Sequence, residues 1–359
     1  MAERIPVTVL TGFLGSGKTT VLNQLVSQPE FADTLVVINE FGQVALDHWL
    51  VAHSTENAVI EMGNGCVCCT IRTDLARTLR DITWRFARQG QRQFRRVWIE
   101  TTGLANPIPI VQTLLSHPQV APRYVLDGVV TVVDLVNAQS TLATYVEAGE
   151  QVAVADLLLL TKADRVDATR LAELSATLRQ RNPSARQQVV TPRGLSAADV
   201  QCLEPQAPPP QGQAPSSGWR GEARAHVSLP VASDHPHQHP VDVNRHGASI
   251  RAHVFQFVQP IAAAALQDWL AELEEWAGPD LLRFKGVVRV AGQGTPLVVH
   301  AVQHTVAAPV ALPAWPRGMV GSSLVFITRD LDRATLAARL ATLGVAPVAV
   351  SHNGEAPGT

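Results

Sequence analysis

Three of the four cysteines in this 359-residue chain fall within four positions, as Cys66, Cys68 and Cys69 in the stretch NGCVCCT. Thiolates at this spacing can converge on one soft or borderline metal ion if the loop curls, and Gly63 and Gly65 give the backbone that freedom. Zn²⁺ would need a fourth ligand for tetrahedral geometry, whereas Cu⁺ accepts three or two. Two buried structural cysteines with a bystander are the alternative, but clustering in a cysteine-poor chain favours a metal site.

A disulfide framework is not expected. Adjacent Cys68 and Cys69 could bridge only through a strained ring, and Cys202 is distant in sequence. The N-terminal residues lack the apolar run of a signal peptide, and no segment has the pattern of a membrane span. We therefore expect a cytoplasmic protein with reduced thiols. The formal net charge of -2 gives no electrostatic basis for binding nucleic acid or an anionic membrane.

A second motif points to phosphate chemistry. The stretch GFLGSGKT matches G-x-x-x-x-G-K-[ST] in full and lies between a predicted strand and a predicted helix, which disfavours a chance glycine loop. Backbone N–H groups and the helix N-terminus would surround the phosphates; Lys18 should reach the β and γ phosphates, and the Thr19 hydroxyl should ligate Mg²⁺. The nucleotide-binding residues expected from this loop are Gly12, Gly15, Ser16, Gly17, Lys18, Thr19 and Thr20.

The stretch LLLLTKAD predicts which nucleotide base the protein binds. The carboxylate of Asp164 can accept hydrogen bonds from N1–H and the exocyclic amino group of guanine, which adenine does not offer in that arrangement. The stem of Lys162 can pack on the ring, and Thr161 stands where many GTPases have Asn. Alone this pattern is weak and could be a strand-end turn, but after a P-loop it favours GTP and GDP over ATP.

Two further strand ends carry acidic residues. In VWIETTG, Glu100 could hold Mg²⁺ directly or through water, and the N–H of Gly103 could lie near the γ-phosphate. The alternative for Glu100 is a strand-end carboxylate bonded to a loop. Asp134, which ends GVVTVVD, is equally consistent with a structural role and with support of the site.

The elements that would position these residues form an α/β pattern. Near-continuous apolar runs alternate with helical segments, which predicts a doubly wound domain with a mainly parallel sheet over residues 1–203. Residues 204–247 are rich in Pro, Gln, Gly, Ser and His and predict a linker. Four predicted strands and two predicted helices indicate a small α+β domain over residues 248–345. Residues 346–359 are predicted to form a flexible tail.

Histidines add one candidate site. His235, His237 and His239 alternate in the linker and could gather a metal ion weakly, or be chance members of a polar segment. The remaining histidines that we considered show no supporting pattern and are interpreted as structural: His117, His253, His300 and His304.

The motifs TGFLGSGKTT, INEFG, GNGCVCCT, IETTGLANP and LLLLTKAD, in this order, resemble those of the CobW-type P-loop GTPases, which include metal-inserting GTPases and zinc chaperones. The stretch PIVQTLLSHPQVAPRYVLDGVVTVVD resembles the YjiA branch. The likeness continues into the C-terminal domain through LLRFKGVVRV and SSLVFITRDL. It leaves out only the linker and the tail.

The resemblance implies GTP hydrolysis coupled to handling a transition metal, with Cys66, Cys68 and Cys69 as its ligands. Zn²⁺ is the first choice and cobalt the alternative, with water, Glu40 or a client metalloprotein giving a fourth ligand. The chain departs from the family at Gln43, where an acidic residue is common, and at Ile38, where some members have another acid. These changes argue against an accessory carboxylate metal site near the switch and leave the thiolates untouched.

Three other functions compete with a GTP-dependent metallochaperone. One is a nucleotide-dependent metal sensor or regulatory switch without metal transfer, and another is a cobalt-handling GTPase of cobalamin synthesis. A P-loop kinase is disfavoured, because the chain shows no Arg-rich lid and a kinase has no use for the cysteine cluster. The sequence does not identify the oligomeric state or the water-positioning residue.

Overall fold

The structure is a computed structural model that describes residues 4–39, 59–61, 69–89, 91–191, 194–200, 250–316, 319 and 321–348. Several predicted features lie outside the described residues: Glu40, Gln43, Cys66, Cys68, Cys202, the predicted linker with His235, His237 and His239, and most of the predicted tail. Among the described residues, no helix is long and apolar enough to cross a bilayer.

The N-terminal domain is built on a seven-stranded sheet in the order β3-β2-β6-β1-β7-β8-β9, and every neighbouring pair is parallel. Central strand β1 aligns Val9 with Ile99 of one neighbour and Val129 of the other. The strands are β1 (Ile5–Gly12), β2 (Thr34–Asn39), β3 (Val59–Glu61), β6 (Arg96–Thr101), β7 (Tyr124–Asp134), β8 (Leu157–Thr161) and β9 (Arg186–Val189), with β4 (Ala87–Arg88) and β5 (Gln91–Arg92) as a separate short hairpin. This confirms the predicted doubly wound fold.

Helices cover both faces of this sheet because its strands are apolar along their length, and separate buried clusters form on the two sides. The helices are α1 (Lys18–Val26), α2 (Cys69–Arg85), α3 (Ile108–Ser116), α4 (Ala138–Thr144), α5 (Val146–Ala153), α6 (Ala168–Arg181) and α7 (Ala197–Val200). Helix α2 buries Leu75, Leu79 and Ile82 on one face, as its helical spacing predicts.

The C-terminal domain is an antiparallel sheet in the order β10-β15-β11-β12-β13, with β14 paired to β12. Its longer strands and both helices match the predicted α+β pattern, and two two-residue strands add to it. The elements are β10 (Ile250–Phe257), α8 (Ala263–Trp276), β11 (Leu281–Val288), β12 (Leu297–Val302), β13 (Thr305–Val306), β14 (Val310–Ala311), β15 (Ser322–Arg329) and α9 (Arg333–Leu340).

The two domains share a core and a buried charge cluster. Leu282 and Ile327 belong to the same apolar cluster as the N-terminal strands. Asp156, at the start of β8, pairs with Arg283 at 2.8 Å and also with Lys285. Burial would raise the pKa of this carboxyl, but the two cations outweigh burial and lower the pKa to about 2. The interface therefore depends on an ionised Asp156.

Candidate functional site

The residues predicted to bind nucleotide meet at one edge of the parallel sheet. Strand β1 ends at Gly12, β6 ends at Thr101 and β8 ends at Thr161. Because these strands are parallel, their carboxyl ends lie side by side, and this is the edge at which open α/β sheets bind ligands.

The P-loop connects β1 directly to α1. Gly12 has a φ of +143°, and a Cβ there would lie 2.4 Å from the carbonyl oxygen of Val132, so only glycine fits. The ammonium group of buried Lys18 donates to the carbonyl oxygens of Gly12 at 2.9 Å and Phe13 at 3.1 Å. The lysine charge is therefore held inside the turn of the loop.

Thr19 and Glu100 come together beside the P-loop. The Thr19 hydroxyl donates to Oε1 of Glu100 at 3.1 Å, and the carboxylate is buried. A hydroxyl and a carboxylate are the oxygen ligands that Mg²⁺ prefers. Below them, the Thr101 hydroxyl donates to that of Thr11 at 2.8 Å and ties β6 to β1. These side chains fit a Mg²⁺ site.

The loop after β6, here called the Gly103 loop, rests directly on the P-loop. A Cβ placed on Gly103 would lie 2.7 Å from the backbone nitrogen of Leu14 and 2.8 Å from its Cα. On the other side, Nε2 of Gln151 in α5 donates to the carbonyl oxygens of Gly103 at 3.2 Å and Ala105 at 3.0 Å. Our sequence analysis did not identify Gln151, since one glutamine within a helical segment gives no signal.

The predicted base-reading segment is attached to the P-loop by two side chains. The Thr161 hydroxyl donates to the Ser16 carbonyl oxygen at 2.7 Å, and the Lys162 ammonium donates to that of Gly15 at 3.0 Å. Lys162 has a left-handed φ of 58°, and a short 3-10 helix follows from Ala163. This turn leaves the side chain of Asp164 exposed.

Asp134 positions the lysine of this segment. Its Oδ2 accepts from the Lys162 ammonium at 2.7 Å and from Nδ2 of Asn137 at 2.7 Å, while Oδ1 accepts from the Val136 N–H at 2.9 Å. Burial acts to raise the pKa of this carboxyl, but the hydrogen bonds outweigh burial and lower the pKa. The contacts therefore favour the supporting role that the sequence left open.

Residues 62–68, which include Cys66 and Cys68, lie in sequence between two described elements. Strand β3 ends at Glu61, which aligns in parallel with Ile38 of β2, and α2 begins at Cys69. The carboxyl end of β3 thus lies at the same sheet edge as the P-loop. Among the described residues, no group of three His, Cys, Asp or Glu side chains could hold a metal ion.

Three other positions from the sequence analysis are buried or half-buried: Ile38, His253 and His300. Ile38 is buried in the core, so a carboxylate there would be costly. A ring nitrogen of His253 lies 3.0 Å from the Leu331 carbonyl oxygen. Burial lowers the pKa of His300 to about 3 and keeps this histidine neutral.

Comparison with known proteins identifies the class. Residues 6–189 match the family model "CobW/HypB/UreG, nucleotide-binding domain", and residues 250–343 match "Cobalamin synthesis protein cobW C-terminal domain". The chain therefore belongs to the CobW family, as its motifs indicate, and is a P-loop GTPase.

Similar proteins include two that are zinc chaperones by name, YjiA and CobW. Zinc chaperone YjiA of Escherichia coli (strain K12) is 31% identical over 340 residues, covering 94% of this chain and 98% of that protein. The crystal structure of the Zn(II)-bound YjiA GTPase from E. coli matches with a TM-score of 0.63 and 27% identity, covering 95% and 99%. A Zn(II)-bound triple mutant of YjiA, with one glutamate and two cysteines changed to alanine, gives the same values.

Proposed function

We propose that this GTPase binds a transition metal through Cys66, Cys68 and Cys69, and that GTP binding and hydrolysis control delivery of that metal. Zn²⁺ is the favoured ion. The observation that carries the proposal is the shared sheet edge. Strand β3 ends at this edge at Glu61, directly before residues 62–68, and β2 separates it from β6, which carries Glu100; α2 begins after these residues, at Cys69.

Nucleotide binding follows from the loop and its supports. The backbone N–H groups of the P-loop and the N-terminus of α1 offer positive charge to the phosphates, and Lys18 supplies a full charge. Asp164 is exposed next to Lys162, where a guanine base can pair with its carboxylate. We therefore infer that GTP and GDP are the ligands.

Mg²⁺ would be held by Thr19 and Glu100, whose oxygen atoms already lie 3.1 Å apart. When bound there, the ion would neutralise charge on the β and γ phosphates. The protein's own groups orient the nucleotide: Lys18 faces the P-loop interior, and the loop of Gly103 packs on Leu14 next to it.

Coupling to the metal requires that the arrangement of Cys66, Cys68 and Cys69 differ between the nucleotide states. A γ-phosphate orders segments near it in P-loop GTPases, and residues 62–68 follow β3, whose carboxyl end lies at the same sheet edge as the P-loop. Thermodynamic linkage then makes metal and nucleotide change each other's binding equally, at about 1.4 kcal/mol for each tenfold change. A client metalloprotein would receive the metal.

Zinc is supported by the thiolate-rich ligand set and by the zinc-chaperone relatives. Cobalt is the alternative, because it tolerates a similar geometry. A metal sensor that changes partner binding without transferring metal uses the same residues. Transfer distinguishes the two functions, since only a chaperone releases metal as GTP turns over.

The test is the rate at which the zinc-loaded, reduced protein gives Zn²⁺ to a chromophoric chelator. We expect this rate with GTP to differ from the rates with GDP and with a non-hydrolysable GTP analogue. The variant with Cys66, Cys68 and Cys69 changed to Ser should show no nucleotide effect. Equal rates in all nucleotide states of the native protein would contradict GTP-coupled delivery.

A further inference from the structure

Helix α5 lies between the Gly103 loop and the C-terminal domain. On the C-terminal side, a Cβ added to Gly149 would lie 2.9 Å from Cδ1 of Ile250, so the helix packs tightly against β10. The next residue, Glu150, forms a buried ion pair with Arg329 of β15. The helix is thus attached to the second domain through packing and charge.

The following residue, Gln151, faces the Gly103 loop. Its side chain is 1% exposed, and its amide nitrogen donates to the carbonyl oxygens of both Gly103 and Ala105. The amide group has two donor hydrogens, and these two carbonyls can use both. A buried amide is costly unless it is bonded in this way, so the contact defines where the loop can rest.

The opposite side of that loop touches the P-loop backbone at Leu14. Gly103 has wide backbone freedom, and two hydrogen bonds to a buried side chain restrict the peptide groups that follow it. The loop is therefore clamped between the P-loop and α5. The sequence predicts that Gly103 lies near the γ-phosphate and that the P-loop surrounds the phosphates, so at the proposed nucleotide site a displacement of the Gly103 loop would act mainly on the γ-phosphate.

We propose that Gln151 is a positioning residue for GTP hydrolysis. It holds the Gly103 loop against the P-loop, and α5 links that loop to the C-terminal domain. The inference rests on the proposed nucleotide site. It predicts that Gln151 affects the response to the γ-phosphate and leaves GDP binding nearly intact.

The test compares Gln151→Met and Gln151→Glu with the native protein. Met keeps the length of the side chain without a donor, and the Glu carboxylate would face two carbonyl oxygens that it cannot satisfy. The matched control is Gln112→Met, because Gln112 is 3% exposed and its amide donates to Gln303 at 3.0 Å, away from the P-loop.

We expect both Gln151 variants to lose at least about tenfold in kcat and in affinity for a non-hydrolysable GTP analogue, equivalent to about 1.4 kcal/mol. GDP affinity should stay within about threefold of native in those variants, and Gln112→Met should keep all three quantities.

Two results would overturn the positioning role. The first is native-like kcat and analogue affinity in both Gln151 variants, while Lys18→Ala abolishes turnover; the nucleotide site would then stand without Gln151. The second is an equal loss of GDP and analogue affinity, which would mean that Gln151 only maintains the fold. A native protein whose GTP turnover does not depend on Lys18 would instead refute the proposed nucleotide site.

Discussion

Gly103→Ala should separate the Gly103 loop from the P-loop. The added Cβ would lie 2.7 Å from the Leu14 nitrogen and 2.8 Å from its Cα, and these backbone atoms cannot rotate away as a side-chain end can. Non-bonded contacts of this kind are favourable at about 3.5–4.0 Å, so relief requires a displacement approaching about 1 Å. A misplacement of about 1 Å at a reacting centre costs roughly a hundredfold in rate.

We therefore expect kcat for GTP hydrolysis to fall about a hundredfold in Gly103→Ala. GDP affinity should change little, because the P-loop keeps its own contacts to the phosphates. The assay pairs steady-state phosphate release with titration of a fluorescent GDP analogue. Gly294→Ala is the control, since an added Cβ there meets no atom within 4 Å. Turnover in Gly103→Ala as fast as in this control would refute the close packing on which the reasoning depends.

Three further predictions concern the P-loop lysine, the base-reading turn and the domain interface. Lys18→Ala should cut GTP turnover by roughly two orders of magnitude, since it removes a preorganised charge, and near-native phosphate release would exclude GFLGSGKT as the catalytic loop. Asp164→Asn should shift preference from guanosine towards xanthosine nucleotides, because Asn can donate to O2 of xanthine; equal binding of ATP and GTP by the native protein would contradict base reading by Asp164. Asp156→Asn should lower the free energy of unfolding by about 3–5 kcal/mol in a urea titration at pH 7, because it removes the carboxylate opposite Arg283 and Lys285. With its pKa lowered to about 2, ionised Asp156 stabilises the native protein above pH 4, and this contribution is lost as pH falls from about 4 towards 2; a loss below about 1 kcal/mol in Asp156→Asn would contradict this role.

Much of the fold could be predicted because the strands are apolar on both faces. The run IPVTVLTG, for example, is β1 residue for residue, and the helical spacing of Leu75, Leu79 and Ile82 gives the buried face of α2. Element ends have weaker signals: β7 begins at Tyr124, four residues before the stretch GVVTVVD that indicates this strand. The domain boundaries remain predictions.

Positions in the candidate site could be predicted where one local motif holds the residues, and could not be predicted where residues distant in sequence meet. Lys18 and Thr19 are fixed by one loop. In contrast, the contact of Gln151 with Gly103 joins residues 48 positions apart, and that of Asp156 with Arg283 joins residues 127 apart. No local pattern encodes such pairs. Thr161 illustrates the same point, because its bond to the Ser16 carbonyl is visible only once β8 lies beside the P-loop.

Zinc affinity of the reduced protein, measured with GDP and with a non-hydrolysable GTP analogue, tests the central claim most directly. The native protein should bind Zn²⁺ with different affinities in the two nucleotide states, and binding should strengthen as pH rises from about 6 to about 8, since thiolate ligation releases protons.

Single Cys66→Ser, Cys68→Ser and Cys69→Ser changes should each weaken zinc binding strongly, whereas Cys202→Ser should leave it unchanged. The triple variant should lose the effect of nucleotide on metal affinity and the effect of metal on GTP turnover. Native zinc affinity and an intact nucleotide response in that triple variant would contradict the account.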